Sequence, residues 1–256
     1  MIRALLPLCL MATAFWASQP STELSENVNV AQNLAKPVRL RVVLEPRHRT
    51  EISAQVSSPV KIITKKLGET FDEGELLIQL DNRIFEGNVV KAAAEVEKAE
   101  VEYEAKKQLY QDRIGSYFDL KFAEAKLQAA KAELIIAEEE LKATQIQAPY
   151  RGKVVDVEVE EYELPVAGAK LIEVVDDTVL VAKILLPADL LNFVKVGTPF
   201  RIRIQETGNE VEATVSRLGA VIDPASSTLM LEAQIPNEDG ELVPGMRGTA
   251  YFEKER

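Results

Sequence analysis

The stretch from Ile84 to Leu141 constrains this chain more than any other. Val89, Val96, Tyr103 and Tyr110 recur at a seven-residue spacing, and Phe85, Ala92 and Ala99 fill the complementary position. Leu120, Leu127, Leu134 and Leu141 repeat the period, with Ala123, Ala130 and Ala137 three residues after them. This is the a/d seam of two helices, large at one position and mostly alanine at the other, so the helices can approach closely. The remaining positions are read as Lys, Glu, Gln and Ala on water-facing sides. Gly87 lies near the start, and Gly115 lies in a predicted turn from Asp112 to Ser116. A turn that short permits only an antiparallel pair. Each helix would be about 40 Å long at 1.5 Å per residue. A two-stranded rod of that length buries little of itself, so it is expected to project and to act through its surface and tip.

The sequence on either side of the rod repeats. Shifting Ile52–Asn82 by 94 positions lays it on Ile146–Asp176, matching Ile52 with Ile146, Ala54 with Ala148, Val60 with Val154, Gly74 with Gly168, Leu77 with Leu171 and Ile78 with Ile172. Each copy reads as strand, turn, strand, turn, strand. One copy alone has too few strands to bury a face, whereas two can close a small sandwich. The hairpin then sprouts from the junction between the halves. Gly68 aligns with Tyr162. If Gly68 has positive φ, Tyr162 would be strained there, so that turn is expected to differ between the copies.

The front of the chain reads as a leader. Met1–Ser18 has Arg3, an apolar run from Ala4 to Trp16, and small residues Ala14, Ala17 and Ser18, the pattern of a secretory signal peptide. The run is short for a membrane span, which needs about 20 residues. Cys9, the only cysteine, follows Leu8, which is too large for a lipoprotein site. Residues 19–37 are read as a flexible polar leader. Val38–Leu44 alternates like a half-buried strand, and 38–51 is assigned to a strand associated with the barrel or with a membrane-proximal region. After Asp177 the chain is β-rich: strands are predicted at Val179–Leu186, Phe200–Gln205, Glu210–Leu218, Thr228–Ile235 and Gly245–Phe252. A short helix is predicted at Pro187–Lys195 and a hairpin turn at Gly208-Asn209. Residues 177–256 suit a small closed barrel. The fold class is thus α+β and elongated: an antiparallel coiled-coil hairpin (83–145) inserted into a split β-sandwich (52–82 and 146–176), followed by a β-barrel.

Little in the chain suggests catalysis. The net charge of −11 over 256 residues argues against general nucleic-acid binding. His48 is the only histidine, and it lacks partners at metal-ligand spacing, so it is read as a surface-loop residue. No P-loop or dinucleotide-binding glycine pattern occurs. No catalytic residue, cofactor or metal ligand is assigned.

Two facing repeats of this kind resemble the biotinyl/lipoyl carrier domain. With a helical hairpin between them they resemble the HlyD-like membrane fusion proteins, the periplasmic adaptor subunits of tripartite efflux (RND-type) and secretion systems. The resemblance rests on Gly68-Glu-Thr-Phe-Asp-Glu-Gly74, Leu80-Asp81, Ile146-Gln-Ala-Pro149, Gly152-Lys-Val154 and Leu242-Val-Pro-Gly-Met246, in that order. It covers roughly Arg41–Phe252. It implies a lipoyl-like sandwich, an inner-membrane transporter and a TolC-like outer-membrane channel as partners, and a homo-oligomer, expected to be a hexamer. It also implies a periplasmic location and no cofactor. A true carrier would present a lysine where this chain has the hairpin, and neither Asp-Lys-Ala nor Met-Lys-Met occurs. A purely structural coiled-coil envelope protein is the other alternative. In adaptors that meet a TolC-like channel, the tip carries Arg, Leu four residues on and Ser seven further. Here Leu109 and Ser116 keep that spacing, while the Arg position holds Ala105 beside Lys106 and Lys107. Leu109, Arg113 and Ser116 are the candidate partner-binding residues of the tip, and Ser116 also fits as an N-cap.

Overall fold

The computed structural model describes residues 38–252; the signal and leader assigned to 1–37 lie outside the described residues. In chain order the elements are β1 (Val38–Ser53), β2 (Val60–Ile63), β3 (Thr70–Phe71), β4 (Leu76–Leu80), α1 (Arg83–Gln111) and α2 (Tyr117–Lys142). Then follow β5 (Gln145–Gln147), β6 (Gly152–Val157), β7 (Lys170–Pro187), β8 (Pro199–Ile204), β9 (Glu210–Asp223), β10 (Thr228–Pro236) and β11 (Arg247–Phe252).

The two repeat copies hold each other. Val60 N–H donates to Glu163 O (2.8 Å) and Tyr162 N–H to Val60 O (2.8 Å); in the counterpart pair, Val154 N–H donates to Glu69 O (3.0 Å) and Gly68 N–H to Val154 O (2.9 Å). Gly168 N–H donates to Ala54 O (2.7 Å) as Gly74 N–H does to Ala148 O (2.9 Å). Even the turn carboxylates correspond: Glu69 accepts from Lys66 N–H and Glu163 from Glu160 N–H, at 2.9 and 3.0 Å. A shift of 94 residues therefore maps one half's bonds onto the other's, as an approximate twofold would. Val60, Phe71, Leu77, Ile78 and Leu80 share one apolar cluster with Ile146, Val154, Leu171, Ile172 and Val174. Neither half could bury that surface alone.

The 94-residue comparison predicts a different turn at Tyr162, and here the structure corrects it. Tyr162 adopts φ 71, the same left-handed conformation as Gly68 at φ 80. The reciprocal hydrogen bond to Val60 requires the turn, and the Tyr162 side chain, 83% exposed, meets no packing obstacle. The local cost is borne because the neighbouring pairing determines the backbone.

The second cluster lies among β1 and β7–β11. The pairings run β1–β11–β8–β9–β10–β7 and return from β7 to β1, a closed circuit of six strands. Alternation puts Val42, Leu44, Leu180, Ala182, Ile184, Ile202, Ile204, Leu231, Ala233 and Ala250 inside, all at most 1% exposed. β1 and β7 are long enough to serve both clusters: their register runs from Val42 opposite Ile184 to Ser53 opposite Lys170, with an irregularity between Pro46 and His48. His48 therefore sits on a strand and not in a loop, exposed, its ring 5.6 Å from that of Tyr150. The helix expected at Pro187–Lys195 is only a single 3-10 turn, Ala188–Leu190. Val194 is buried against the barrel core with Leu190 and Leu191 partly buried beside it, so packing dictates a compact turn where periodicity suggested a helix.

Candidate functional site: the apex of the helical hairpin

α1 starts just after β4 and α2 ends just before β5, and β4 and β5 are paired. The base is tied by Asp81, whose carboxylate accepts from the Arg83 backbone N–H (3.2 Å) and from its guanidinium (2.6 Å). The Arg83 hydrogen bonds hold the Asp81 carboxyl down at about 2. Along the rod, Ala92, Ala99, Ala123, Leu127 and Ala137 are buried. Every other seam position is at least partly covered except Tyr110, which is 42% exposed. Lys126 Nζ bridges the helices to Glu102 at 3.1 Å.

The apex is a tightly specified turn. Ile114 N–H donates to Leu109 O (3.0 Å) and Arg113 N–H to Tyr110 O (3.0 Å). These two bonds form a Schellman motif closing α1. Its left-handed position, usually glycine, is Arg113 at φ 61. Gly115 is the residue that cannot change: a Cβ there would lie 2.9 Å from Tyr110 N and 3.0 Å from Leu109 C, both backbone atoms. Ser116 then caps α2, its Oγ accepting from Phe118 N–H at 3.2 Å. Asp119 follows in the first turn, where the helix dipole favours a negative charge.

The three tip residues expected from sequence therefore come together within one turn, with distinct placements. Leu109 is 41% exposed, and its carbonyl is the hub of the Schellman bonds. The Arg113 side chain is exposed, with no ion pair or hydrogen bond among the described residues. The Ser116 hydroxyl already accepts a capping bond. Of the neighbouring bases, Lys107 is drawn to Glu104 at 3.0 Å and lies over the Tyr103 ring at 5.4 Å.

Sequence reading missed the apolar character of the apex. The off-seam faces are not uniformly wet: Ile114 is 75% exposed, Tyr117 59%, Phe118 73% and Phe122 55%. Phe118 and Phe122 stack with centroids 6.3 Å apart, Tyr117 meets Tyr110 at 5.8 Å, and Lys121 lies over Tyr117. The signal was present as four large apolar residues within nine positions that do not fit the heptad. Ile84, Val90, Val101, Ile135 and Ile136 are exposed farther along the rod, but the aromatic pairs gather at the apex, and such a cluster marks a contact surface.

A split sandwich carries the hairpin and is continued by two long strands into a six-strand circuit. Residues 182–256 match the family model of the CusB-like β-barrel domain. The nodulation protein NolF of Rhizobium meliloti (strain 1021) is 23% identical over 232 residues, covering 85% of this chain, and the chain spans only 63% of that relative's length. Among solved structures, a MacA–MexA chimeric protein containing the Pseudomonas aeruginosa MexA α-hairpin domain superposes with a TM-score of 0.74 at 21% identity, over 86% of this chain and 81% of that one. The membrane fusion protein Spr0693 of Streptococcus pneumoniae R6 gives 0.67 at 16% identity, over 86% of this chain and all of that one. The chain shares the fold of these two structures, the second a membrane fusion protein, as its sequence motifs implied.

Proposed function

We propose that this protein is a non-catalytic periplasmic adaptor that links an inner-membrane transporter, RND-type or similar, to a TolC-like outer-membrane channel. It works in three parts: the hairpin reaches the channel, the lipoyl-like sandwich packs against its copies in a ring, and the barrel faces the transporter. Solute passes through the assembled tube, and the energy comes from the transporter. The observation that carries this reading is the apex: an exposed apolar surface of Leu109, Ile114, Tyr117 and Phe118 on a turn fixed by Gly115 and Ser116, at the end of helices of 29 and 26 residues. At 1.5 Å per residue the longer helix places that surface about 44 Å from its base. A rod that gathers its exposed, paired aromatic rings at its far end is built to be covered there. Leu109 and Ile114 supply burial, and Arg113 supplies an uncommitted cation for carbonyls or carboxylates on partner helices.

The test is site-specific photocrosslinking in cells from position 114, with position 133 on the polar flank of the rod as control. Capture of an outer-membrane channel from 114 and not from 133 supports the reading. Capture only of further copies of the chain from both positions favours the structural coiled-coil protein and removes the adaptor. A lipoyl or biotinyl group found on any lysine by mass spectrometry would favour the carrier.

A further inference from the structure

On a chain of net charge −11, one outward face of the barrel is basic. Arg39, Tyr251 and Arg201 lie in one row across β1, β11 and β8, and Arg41, Thr249 and Arg203 lie in the next. Residues two apart on a strand share a face, so the four guanidinium groups project from the same side. The alternate residues Val42, Ile202, Ile204 and Ala250 point into the core. Arg39 lies 5.7 Å from the centre of the Tyr251 ring. On the far border β9 places Glu212 opposite Arg201 and Glu210 opposite Arg203, with Arg201 Nη1 3.9 Å from Glu210. β1 and β8, on either side of β11, thus carry four arginines, with an acidic strand beyond β8.

The barrel end nearest this face exposes large apolar side chains beside the carboxylates of Asp189 and Asp223. Val38 pairs with Phe252 and Val42 with Ile184, and Thr228 pairs with both Pro187 and Asp223, so the start of β1 and the β9–β10 loop share one end. There Val221 is 79% exposed, Phe193 56% and Ile222 43%. The chain reaches this end through residues 1–37, which include the apolar run Ala4–Trp16. The 21 residues from Ala17 to Pro37 span at most about 75 Å, so on a chain that keeps its leader the membrane the leader enters lies within reach of Val38.

We propose that this end of the barrel is an interfacial lipid-binding surface that rests on an anionic bilayer. Arg39, Arg41, Arg201 and Arg203 meet headgroup phosphates, and Val221 and Ile222 at the end of β9 sit at the boundary between headgroups and acyl chains. Guanidinium groups suit this role because they pair with phosphate through parallel hydrogen bonds. Clustered basic residues beside exposed apolar ones are what binding in the interface plane requires. An acidic protein would answer the arginines but leaves the apolar end of β9 and the approach of the apolar run unaccounted for. The inference stands on the barrel alone and is independent of what the hairpin apex binds.

The experiment uses the full chain with Cys9→Ser and a single cysteine at Val221→Cys, labelled with an environment-sensitive fluorophore. A second protein carries the label at Leu109→Cys on the hairpin apex. Each is mixed with phosphatidylcholine vesicles with or without phosphatidylglycerol as a third of the lipid. On anionic vesicles the Val221 label should shift to the blue and become shielded from iodide, while the Leu109 label stays wet. Changing all four arginines to Gln should lower the lipid-buried fraction of the Val221 label roughly tenfold or more, and high salt should do the same. The fourfold change to Lys should retain most of it, which separates lost charge from lost folding. The proposal is overturned if the protein floats with vesicles while the Val221 label stays wet, since the apolar run alone would then hold it. Equal burial on neutral lipid, no flotation on either vesicle, or arginine-dependent capture of an acidic protein with the label still wet would also overturn it.

Discussion

Replacing Arg113 with Gly separates what the apex needs to fold from what it needs to dock. Arg113 occupies φ 61 at the one position of a Schellman motif where a Cβ is unfavourable. The left-handed conformation costs an L-residue about 1–2 kcal/mol. Glycine removes that cost but adds about 0.5–1 kcal/mol of unfolded-chain freedom. The net is about 0.5–1 kcal/mol in favour of Arg113→Gly, which slows local opening of the turn roughly two- to fivefold. The amides to follow are Ile114 and Gly115, which donate to Leu109 O at 3.0 and 2.9 Å, and the assay is their hydrogen exchange at a pH where opening is fast and reversible. Slower exchange together with loss of crosslinking from position 114 means the guanidinium is kept for the partner at the expense of the turn. Unchanged or faster exchange refutes the strain argument. Slower exchange with full crosslinking refutes the docking role of Arg113.

Four further outcomes are expected. Gly115→Ala should open the apex, since its Cβ would meet the backbone of Tyr110 and Leu109 at about 3 Å; the cost is about 1–3 kcal/mol, read as faster exchange of the same two amides. Ala123→Leu, at a seam position 1% exposed, should force α1 and α2 apart and destabilise the hairpin by about 1–3 kcal/mol, measured by urea unfolding of helical circular dichroism. Gly68→Ala should destabilise the sandwich by about 1 kcal/mol although its Cβ meets nothing within 4 Å, because φ 80 alone opposes it; a neutral result would mean the turn relaxes. The Asp81 carboxyl is lowered from 3.8 to about 2 by Arg83, so its contribution to stability is present above pH 3.8 and is lost as the pH falls through 2. Unfolding curves of the wild type and Asp81→Asn should therefore differ at pH 5 and converge near pH 2.

The seam of the hairpin was legible because a seven-residue period survives any context: once Leu120, Leu127 and Leu134 recur with alanines between them, two close-packed helices follow, and Gly115 marks their junction. The repeat was legible because related halves keep the same buried positions, such as Val60 and Val154. Ser116 was readable as a cap from residue type alone. The exposed apex was not, because Ile114, Tyr117, Phe118 and Phe122 look like core residues until the helix faces are known. The conformation of Tyr162 was misjudged because a local rule against positive φ was applied to a residue whose turn is fixed by the other half of the domain.

By itself, the sequence determined the hairpin, the duplicated half-domain and the alternating strands of the barrel. These depend on spacing along the chain, and spacing needs no partner. Only the tertiary structure decided that Val60 exchanges hydrogen bonds with Tyr162 and Glu163, that β1 and β7 run through both apolar clusters, and that Arg39 and Arg41 stand near Arg201 and Arg203 across β11. Those groups lie more than 90 residues apart in the chain, and what brings them together is the closing of backbone pairs over a shared core, whose register no local pattern encodes.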